Sequence, residues 1–311
     1  MSIDLKKSAP ESLPNNKKVW QRLLSTLSLV ICGLAIAAVY QGLKNTNWLL
    51  VWADLQDIKP LQLAQALLFV AGSYGAIACY DVLAFRYIEC QLALSKIIFA
   101  GLITYSISPN VGFAFLSGGV LRYRIYRQWQ VSNFDIAKII AFTNFSLWVG
   151  LIPITGFVFV ATEFSLPEAI AESFPSISPP ELGILLLVIS GLYLLIVNYI
   201  KKPFEIKNAQ IKLPSLGLTL QQIIVFSLDW GFAAGTLYFL LGNPLSFPFF
   251  FGIYVIAMVA GLISTVPGGL GVFETVMLFF LESLQPKEEI LATLIVFRCL
   301  YYFLPFTIAV V

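Results

Sequence analysis

The stretch Ser264–Phe273 (STVPGGLGVF) interrupts an apolar segment with one proline and three glycines, and Ser106–Phe113 (SISPNVGF) is interrupted in a similar way. In each stretch a serine precedes the proline by three residues, and glycine and phenylalanine follow. Proline removes a helix hydrogen bond and glycine loosens the backbone. Inside a membrane such breaks are tolerated where the freed backbone is buried in protein or lines a polar cavity, so a matched pair predicts a transporter-type site. The alternative is two ordinary kinked helices, because glycine and proline are common in membrane helices.

The composition excludes an ordinary soluble protein. Of the 311 residues, 59% are hydrophobic and only 12% are charged, and the mean hydropathy is +0.85. A soluble domain carries roughly a quarter charged residues. The sequence therefore predicts an all-α, polytopic integral membrane protein with about 6–8 transmembrane helices. Two segments are expected to be broken or re-entrant helices that are related by inverted topology.

Several kinds of chemistry have no support in the sequence. Histidine is absent, which removes the usual general base and the commonest metal ligand. The four cysteines, Cys32, Cys79, Cys90 and Cys299, form no CxxC pair, so neither a zinc site nor a disulfide framework is indicated. No GxxxxGK[ST] motif for ATP occurs. We expect no metal, no cofactor, no catalytic residue and no nucleic-acid partner.

Residues 1–18 are predicted to form a polar cytoplasmic tail, and residues 19–311 a single transmembrane domain. Candidate membrane segments are 20–43, 61–85, 97–117, 137–161, 182–200, 219–241, 249–266, 270–284 and 290–311. A full crossing needs about 20 apolar residues. The first, second, fourth, fifth, sixth and last candidates are predicted to cross, and the stretches around the two breaks are shorter or interrupted.

Charge placement predicts the orientation. Basic residues cluster in 1–22, 86–96, 122–127 and 201–214, whereas 162–181 contains four glutamates and no basic residue. Because basic loops stay cytoplasmic, the N-terminus is expected inside and the acidic loop outside. The chain must then cross an even number of times between 86–96 and 122–127.

One re-entrant hairpin that turns at Pro109-Asn110 satisfies this requirement. The second break, at Pro267, then enters from the outer side, as in the inverted repeats of many secondary transporters.

Four ionisable residues in or near apolar segments are candidates for function. Asp229 and Arg298 lie near the middle of their segments, Glu274 follows the second break, and Asp81 is close to the cytoplasmic end of the second segment. Charged groups near the bilayer centre are costly and are functional candidates by default. The alternative is a charge pair that only fixes helix packing.

The segment Ser117–Arg127 (SGGVLRYRIYR) offers a second candidate site. A Ser-Gly-Gly turn that opens a helix would expose backbone N–H groups suited to an anion. Arg122 and Tyr126 are four residues apart and share a helix face. With Arg124 they place guanidinium and phenol groups at headgroup depth, which fits an anionic phospholipid. Interfacial Arg and Tyr are also plain topology anchors, and spacing alone does not decide between the two.

Three motifs carry a family resemblance: Ser117–Tyr126 (SGGVLRYRIY), Val266–Glu274 (VPGGLGVFE) and Arg298–Pro305 (RCLYYFLP). Together and in this order they resemble the membrane half of the lysylphosphatidylglycerol synthetase and flippase family, also called the multiple peptide resistance factor family. The resemblance extends from about the first helix to the end of the chain. It implies a bacterial inner-membrane protein.

In that family the membrane half is taken to move aminoacylated phosphatidylglycerol between leaflets, and a soluble C-terminal domain makes this lipid from aminoacyl-tRNA. The present chain ends at Val311 without such a domain, so we expect no aminoacyl transfer from it. The positions that the resemblance carries over are Arg122, Arg124, Tyr126, Pro267, Gly268, Gly269, Gly271, Glu274, Arg298, Tyr301, Tyr302 and Pro305. Asp229 is added because of its depth.

These observations predict a lipid-binding or lipid-translocating membrane protein. Arg122 and Arg124 would hold lipid phosphate at a cytoplasmic entry, and Glu274 and Asp229, balanced by Arg298, would hold a cationic or hydroxyl-rich headgroup. Movement would be downhill or coupled to an ion gradient through protonation of one of the two acids. The alternatives are a membrane enzyme acting on a lipid-linked substrate and a membrane platform for a separately encoded soluble synthetase or transferase.

Overall fold

The computed structural model describes residues 44, 46–111, 114–162, 178–206, 209–242, 245–264 and 266–311. The predicted tail 1–18, the first predicted segment 20–43 and most of the acidic loop 162–181 lie outside the described residues. The helices are α1 (Trp48–Asp57), α2 (Pro60–Ile88), α3 (Leu94–Val111), α4 (Ala114–Gln128), α5 (Asn133–Ala161), α6 (Pro179–Tyr199), α7 (Leu216–Leu240), α8 (Phe247–Ser264), α9 (Val272–Leu281), α10 (Lys287–Arg298) and α11 (Leu304–Val310).

Three short elements connect them. A two-stranded antiparallel ladder, β1 (Phe204–Ile206) with β2 (Ala209–Ile211), joins α6 to α7. A 3₁₀ turn at Pro267–Gly269 separates α8 from α9, and a π-helical turn at Cys299–Phe303 separates α10 from α11. Apart from the small ladder, the described fold is helical, which confirms the predicted fold class.

Six helical stretches are long and apolar enough to cross a membrane: Pro60–Ile88, Asn133–Ala161, Pro179–Tyr199, Leu216–Leu240, Phe247–Ser264 and Lys287–Val310. Five of them match predicted crossings. The sixth, α8, borders the second break and was not among the predicted crossings; its 18 residues would allow a crossing by length and composition alone. The helix begins at Phe247 and stays regular to Ser264, so the break falls after 18 apolar residues rather than within them.

Helix boundaries follow ordinary capping. Ser132 and Ser215 accept hydrogen bonds from the backbone N–H groups of Asp135 and Leu218, which satisfies donors in the first turns of α5 and α7. At the other end of α2, Glu89 adopts the left-handed conformation at φ 56° and stops the helix. These local signals fix where the long helices begin and end.

The long helices define two ends of the bundle. At one end, Gln62 at the start of α2 donates to the carbonyls of Phe239 and Leu240 at the end of α7. At the other, Arg86 near the end of α2 donates to Gln221 near the start of α7. We call these the Gln62 end and the Arg86 end.

Helices α3 and α4 form a hairpin in which the start of α3 and the end of α4 both lie at the Arg86 end. Lys96, at the start of α3, lies over the ring of Trp129, just beyond α4. Near the tip, Ser117 donates to the carbonyl of Ser108 at 3.2 Å. The hairpin predicted around the first break is therefore present, but its turn is not at Pro109-Asn110. Both residues belong to α3, which continues to Val111.

Helices α8 and α9 form a second hairpin in which the start of α8 and the end of α9 both lie at the Gln62 end. The ring of Phe247, at the start of α8, contacts Tyr238 near the end of α7. Beyond α9, Gln285 donates to the carbonyl of Leu241. The two hairpins thus enter the bundle from opposite ends. This arrangement agrees with the predicted inverted topology, whereas the side of the membrane on which each end lies stays a prediction from charge.

Glycines allow the central helices to approach closely. A Cβ on Gly72 of α2 would meet the ring of Phe232 at 3.1 Å, and one on Gly156 of α5 would lie 2.9 Å from the carbonyl oxygen of Gly183 on α6. Close backbone approach through small residues is the usual mode of helix packing in membranes. The central α2–α7 pair forms the framework against which both hairpins are held.

Candidate functional site

The tips of the two hairpins meet. A Cβ built on Gly268, in the 3₁₀ turn of the second break, would lie 3.6 Å from the carbonyl oxygen of Pro109 in the first break. Next to this contact is a cavity of about 200 Å³ that is partly open to the surface, and we call it the tip cavity. It is lined by Asn110, Pro267, Gly268, Leu270, Arg298, Tyr302, Phe303 and Phe306. The two breaks that the sequence singled out therefore contribute to one site.

The backbone of the second break needs its glycines. Gly268, Gly269 and Gly271 have φ values of 61°, 60° and 82°, which favour glycine over residues with a side chain. Their conformation ends α8, turns the chain and starts α9 at Val272 within a few residues. In this way the Gly268 carbonyl comes to face the tip cavity.

Arg298 forms the polar wall of the tip cavity. It is 7% exposed; its Nε donates to Glu274 Oε1 and its Nη1 to the Gly268 carbonyl, both at 2.6 Å. Its guanidinium carbon lies 4.7 Å from the ring centroid of Tyr302 and 5.3 Å from that of Phe273. No acceptor on a described residue bonds the remaining terminal nitrogen, Nη2.

Glu274 holds this arrangement together. It occupies the first turn of α9, where its Oε2 accepts from the backbone N–H of Gly271 at 2.5 Å while Oε1 accepts from Arg298. A carboxylate at a helix N-terminus is favoured by the unpaired N–H groups there. The pair is neutral overall, which lowers the cost of a guanidinium at membrane depth.

A second buried ion pair links the first hairpin to α2. Arg122 of α4 donates through Nη2 to Asp81 Oδ1 at 2.6 Å and through Nε to both carboxylate oxygens at 3.1 Å. Tyr126, one turn on, donates to Asp81 Oδ2 at 2.5 Å. Arg122 also lies over the ring of Tyr105, 4.9 Å from its centroid. Asp81 is fully buried and Arg122 is 3% exposed.

This geometry corrects two expectations about Ser117–Arg127. The Ser-Gly-Gly sequence does not open a helix, because α4 begins at Ala114 and its backbone N–H groups are therefore inside helical structure. Arg122 is engaged with Asp81 and buried, so it does not present a free guanidinium to a headgroup. Arg124 is exposed, and the shared face of Arg122 and Tyr126 is confirmed by their common partner.

Asp229 is in neither ion pair. It lies in α7, is 7% exposed, and accepts from Ser73 Oγ at 2.6 Å and from Tyr80 OH at 3.1 Å. The expectation that Arg298 balances both Glu274 and Asp229 is therefore wrong. Arg298 pairs with Glu274, whereas hydroxyl groups surround Asp229.

The predicted residues separate into four places. Arg298, Tyr302, Pro267 and Gly268 line the tip cavity, with Glu274, Gly269 and Gly271 supporting it. Arg122 and Tyr126 bind Asp81, and Arg124 lies on the surface near the Arg86 end. Tyr301 reaches the Asp229 group through Ser73, whose Oγ is 2.7 Å from the tyrosine hydroxyl.

Four contributors went unassigned in the sequence. Asp81 was noted for its depth but not linked to Arg122, and Ser73, Tyr80 and Tyr105 gave no signal at all. Their partners lie in other helices, so spacing within one helix does not reveal them. The separation of four residues between Arg122 and Tyr126, which places them on one helix face, was the one local indication of the Asp81 site.

Comparison with known proteins identifies the relatives of this chain. Residues 25–309 match the family described as the lysylphosphatidylglycerol synthase TM region. The chain is 41% identical to the uncharacterized protein slr0712 of Synechocystis, over 92% of this chain and 90% of that protein. It is 30% identical to the inner membrane protein YbhN of Escherichia coli, over 90% of this chain and 87% of that protein.

A longer relative shares only this region. The phosphatidylglycerol lysyltransferase of Staphylococcus aureus strain MSSA476 is 27% identical over 94% of this chain, which spans 34% of the lysyltransferase. The residues that match the family model, 25–309, include both hairpins, both ion pairs and the Asp229 group. The chain belongs to the lysylphosphatidylglycerol synthase transmembrane-region family, as a multi-pass membrane protein of a family associated with lipid modification.

Proposed function

We propose that this protein binds the headgroup of a phospholipid in the tip cavity and passes the lipid across the bilayer. The observation that carries the proposal is the meeting of two oppositely inserted hairpins at a partly open cavity whose wall is a buried arginine. Broken helices at the interface of inverted repeats are where transporters bind their substrates.

The chemistry of the tip cavity fits an anionic lipid. Nη2 of Arg298 can donate a charge-assisted hydrogen bond to a phosphate oxygen, and such bonds are stronger than neutral ones. Leu270 and Phe303, each 49% exposed, give the cavity an apolar rim suited to glycerol and acyl groups. At about 200 Å³ the cavity is smaller than the roughly 300–1,000 Å³ of small-molecule pockets, so it suits a headgroup with the chains outside.

Surface charge would concentrate the substrate. Arg124 and Arg127 are exposed near the end of α4, and a basic residue close to an anionic leaflet contributes about 1 kcal/mol of attraction. The Arg86 end also carries Lys96 and Lys212. Anionic lipid would gather there before reaching the interior.

The relatives narrow the class of lipid to test. One relative is a phosphatidylglycerol lysyltransferase that contains this region. Phosphatidylglycerol and its lysyl derivative are therefore the first candidate substrates. A separately encoded soluble synthetase or transferase is the partner class that this relative suggests.

The test uses purified protein in liposomes that contain tail-labelled phosphatidylglycerol or its lysyl derivative. External dithionite bleaches label in the outer leaflet, so bleaching beyond about half reports translocation. We expect this for the native protein, loss of it in Arg298→Gln, and no change in the control Lys59→Gln, which alters an exposed lysine at the Gln62 end, outside the cavity. Bleaching that stops at half for every lipid would refute translocation and favour a platform for a partner enzyme.

A further inference from the structure

Three acids inside the bundle differ in their partners. Asp81 pairs with Arg122, and Glu274, whose side chain is 19% exposed, pairs with Arg298. Asp229 is buried at 7% exposure, but no Lys or Arg nitrogen of a described residue lies within 4.0 Å of its carboxylate. A carboxylate buried without a cation tends to take up a proton, because burial disfavours its charged form.

Hydroxyl groups replace the missing cation. Ser73 donates to Asp229 Oδ1, Tyr80 donates to Oδ2, and the Ser73 oxygen is 2.7 Å from the Tyr301 hydroxyl. Because Ser73 has a single proton, which it gives to the carboxylate, its oxygen accepts from Tyr301. The charged form thus sets the direction of a chain that runs from Tyr301 through Ser73 to Asp229.

Protonation of Asp229 would reverse this chain. A proton from the aqueous phase that adds to Oδ1 makes the carboxyl a donor to the Ser73 oxygen. The Ser73 proton then turns toward the Tyr301 oxygen, so the Tyr301 hydroxyl no longer donates to Ser73. The new carboxyl O–H forms as an O–H bond of a hydronium ion in the aqueous phase breaks, and no other covalent bond changes.

Tyr301 connects this chain to the tip cavity. It lies in the π-helical turn Cys299–Phe303, which directly follows Arg298 and includes Tyr302. Tyr74 of α2 holds the same turn by donating to the Tyr301 carbonyl at 3.1 Å. Single π-helical turns within helices occur frequently at functional sites, and a change at Tyr301 acts on the neighbours that line the cavity.

The surroundings leave Asp229 as the group that can change charge. The titratable side chains that interact with it are all tyrosines: Tyr74 and Tyr80 of α2, Tyr105 of α3, Tyr254 of α8, and Tyr301 and Tyr302 of the π-helical turn. Tyrosine is neutral near pH 7.

The other packed helices supply no counter-ion. The charged residues of α5 are Asp135 and Lys138, which pair with each other in its first turns. The charged residue of α6 is Glu181, which lies in its first turn, and α8 has no charged residue. The arginine of α10, Arg298, forms its ion pair with Glu274.

We propose that Asp229 is a reversible proton-binding site, and that its protonation resets the π-helical turn behind the tip cavity. The coupling to lipid movement rests on the proposed function, whereas proton binding does not. Glu274, the other acid considered from the sequence, is fixed as the partner of Arg298 and has a structural role.

Infrared difference spectroscopy of the purified, reconstituted protein tests the proton site without any transport assay. Between about pH 9 and pH 6, where exposed carboxyls stay ionised, the native protein is expected to gain a protonated-carboxyl band that is missing in Asp229→Asn and retained in Glu274→Gln. Absence of a titrating band in the native protein, or the same band in Asp229→Asn, would overturn the proposal.

A milder variant keeps the test decisive if Asp229→Asn fails to fold. Tyr301→Phe removes one hydroxyl and leaves the carboxyl in place, so the band is expected to remain but shift in frequency. An unshifted band would contradict the hydrogen-bonded chain.

The coupling is measured separately in liposomes with an imposed pH gradient. Reversing the gradient is expected to change the initial rate of label bleaching several-fold in the native protein and to leave Asp229→Asn unaffected. An initial bleaching rate of the native protein that is the same for both directions of the gradient would refute the coupling. If no lipid moves at all, the proposed function fails, while the infrared band still decides whether Asp229 binds a proton.

Discussion

Gly268 and Pro109 face each other where the two hairpins meet: a Cβ on the glycine would lie 3.6 Å from the proline carbonyl oxygen. Each belongs to a hairpin that enters from the opposite end of the bundle. Gly268 lies in the turn that follows α8, and Pro109 removes one backbone hydrogen-bond donor from α3, which continues to Val111. The tip cavity lies next to this contact.

Replacing Gly268 tests whether this backbone conformation is needed. Gly268→Ala places a side chain at φ 61°, 3.6 Å from both the Pro109 carbonyl and Arg298 Nη1. A residue other than glycine in this region costs about 1–2 kcal/mol. We expect a lower unfolding temperature and reduced lipid translocation, measured by thermal unfolding in detergent and by dithionite bleaching.

The control for this variant is Gly191→Ala. Gly191 lies in α6, where a Cβ would have no neighbouring atom within 4 Å, and alanine favours helix. It should be neutral or slightly stabilising. Equal losses of unfolding temperature and of translocation in the two variants would show that the positive φ of Gly268 is not required.

The Asp81–Arg122 pair should be strongly coupled. Removing one member of a buried pair leaves an unpaired charge and costs about 3–5 kcal/mol. Asp81→Asn and Arg122→Gln should each lower the free energy of unfolding. The double variant should lose much less free energy of unfolding than the sum of the two single losses. A double-mutant cycle on thermal or denaturant unfolding measures this coupling, and additive losses would contradict a direct pair.

The half-exposed pair Lys138–Asp135 is the matched control for that cycle. Its atoms are 3.5 Å apart and both side chains are 28% exposed. Exposed pairs contribute about 0–1 kcal/mol, so Lys138→Gln should change stability little.

The inverted arrangement predicts labelling from opposite faces. In a cysteine-free background, single cysteines at Gln128 and Lys212 should react with an impermeant thiol reagent from one side of the membrane, and one at Glu282 from the other. All three positions are exposed. Charge placement predicts that the first two face the cytoplasm. Labelling of positions 128 and 282 from the same side would exclude the inverted hairpins.

Sequence reasoning was most successful where the signal was local. The Pro and Gly of the second break, the first-turn position of Glu274 and the common face of Arg122 and Tyr126 follow from spacing along one helix. The turn of the first hairpin was misplaced because Pro109 is accommodated within α3. Proline alone does not say whether a helix ends or continues past it.

The partners of the buried charges were not predictable in the same way. Asp81 and Arg122 are 41 residues apart, and Asp229 is 156 residues from Ser73. A serine or a tyrosine in an apolar helix gives no sequence signal that it will contact a carboxylate in another helix. The assignment of Arg298 to both Glu274 and Asp229 failed for this reason, since depth in the membrane predicts burial but not which groups are neighbours.

Filling the tip cavity tests the central claim most directly. Leu270 lines the cavity and is 49% exposed, whereas Leu192 of α6 is 55% exposed and lies outside the cavity. The account predicts that Leu270→Trp holds dithionite bleaching of labelled phosphatidylglycerol at about half, and that Leu192→Trp bleaches as far as the native protein. Equal bleaching by both variants, with both folded, would show that lipid does not pass through the tip cavity.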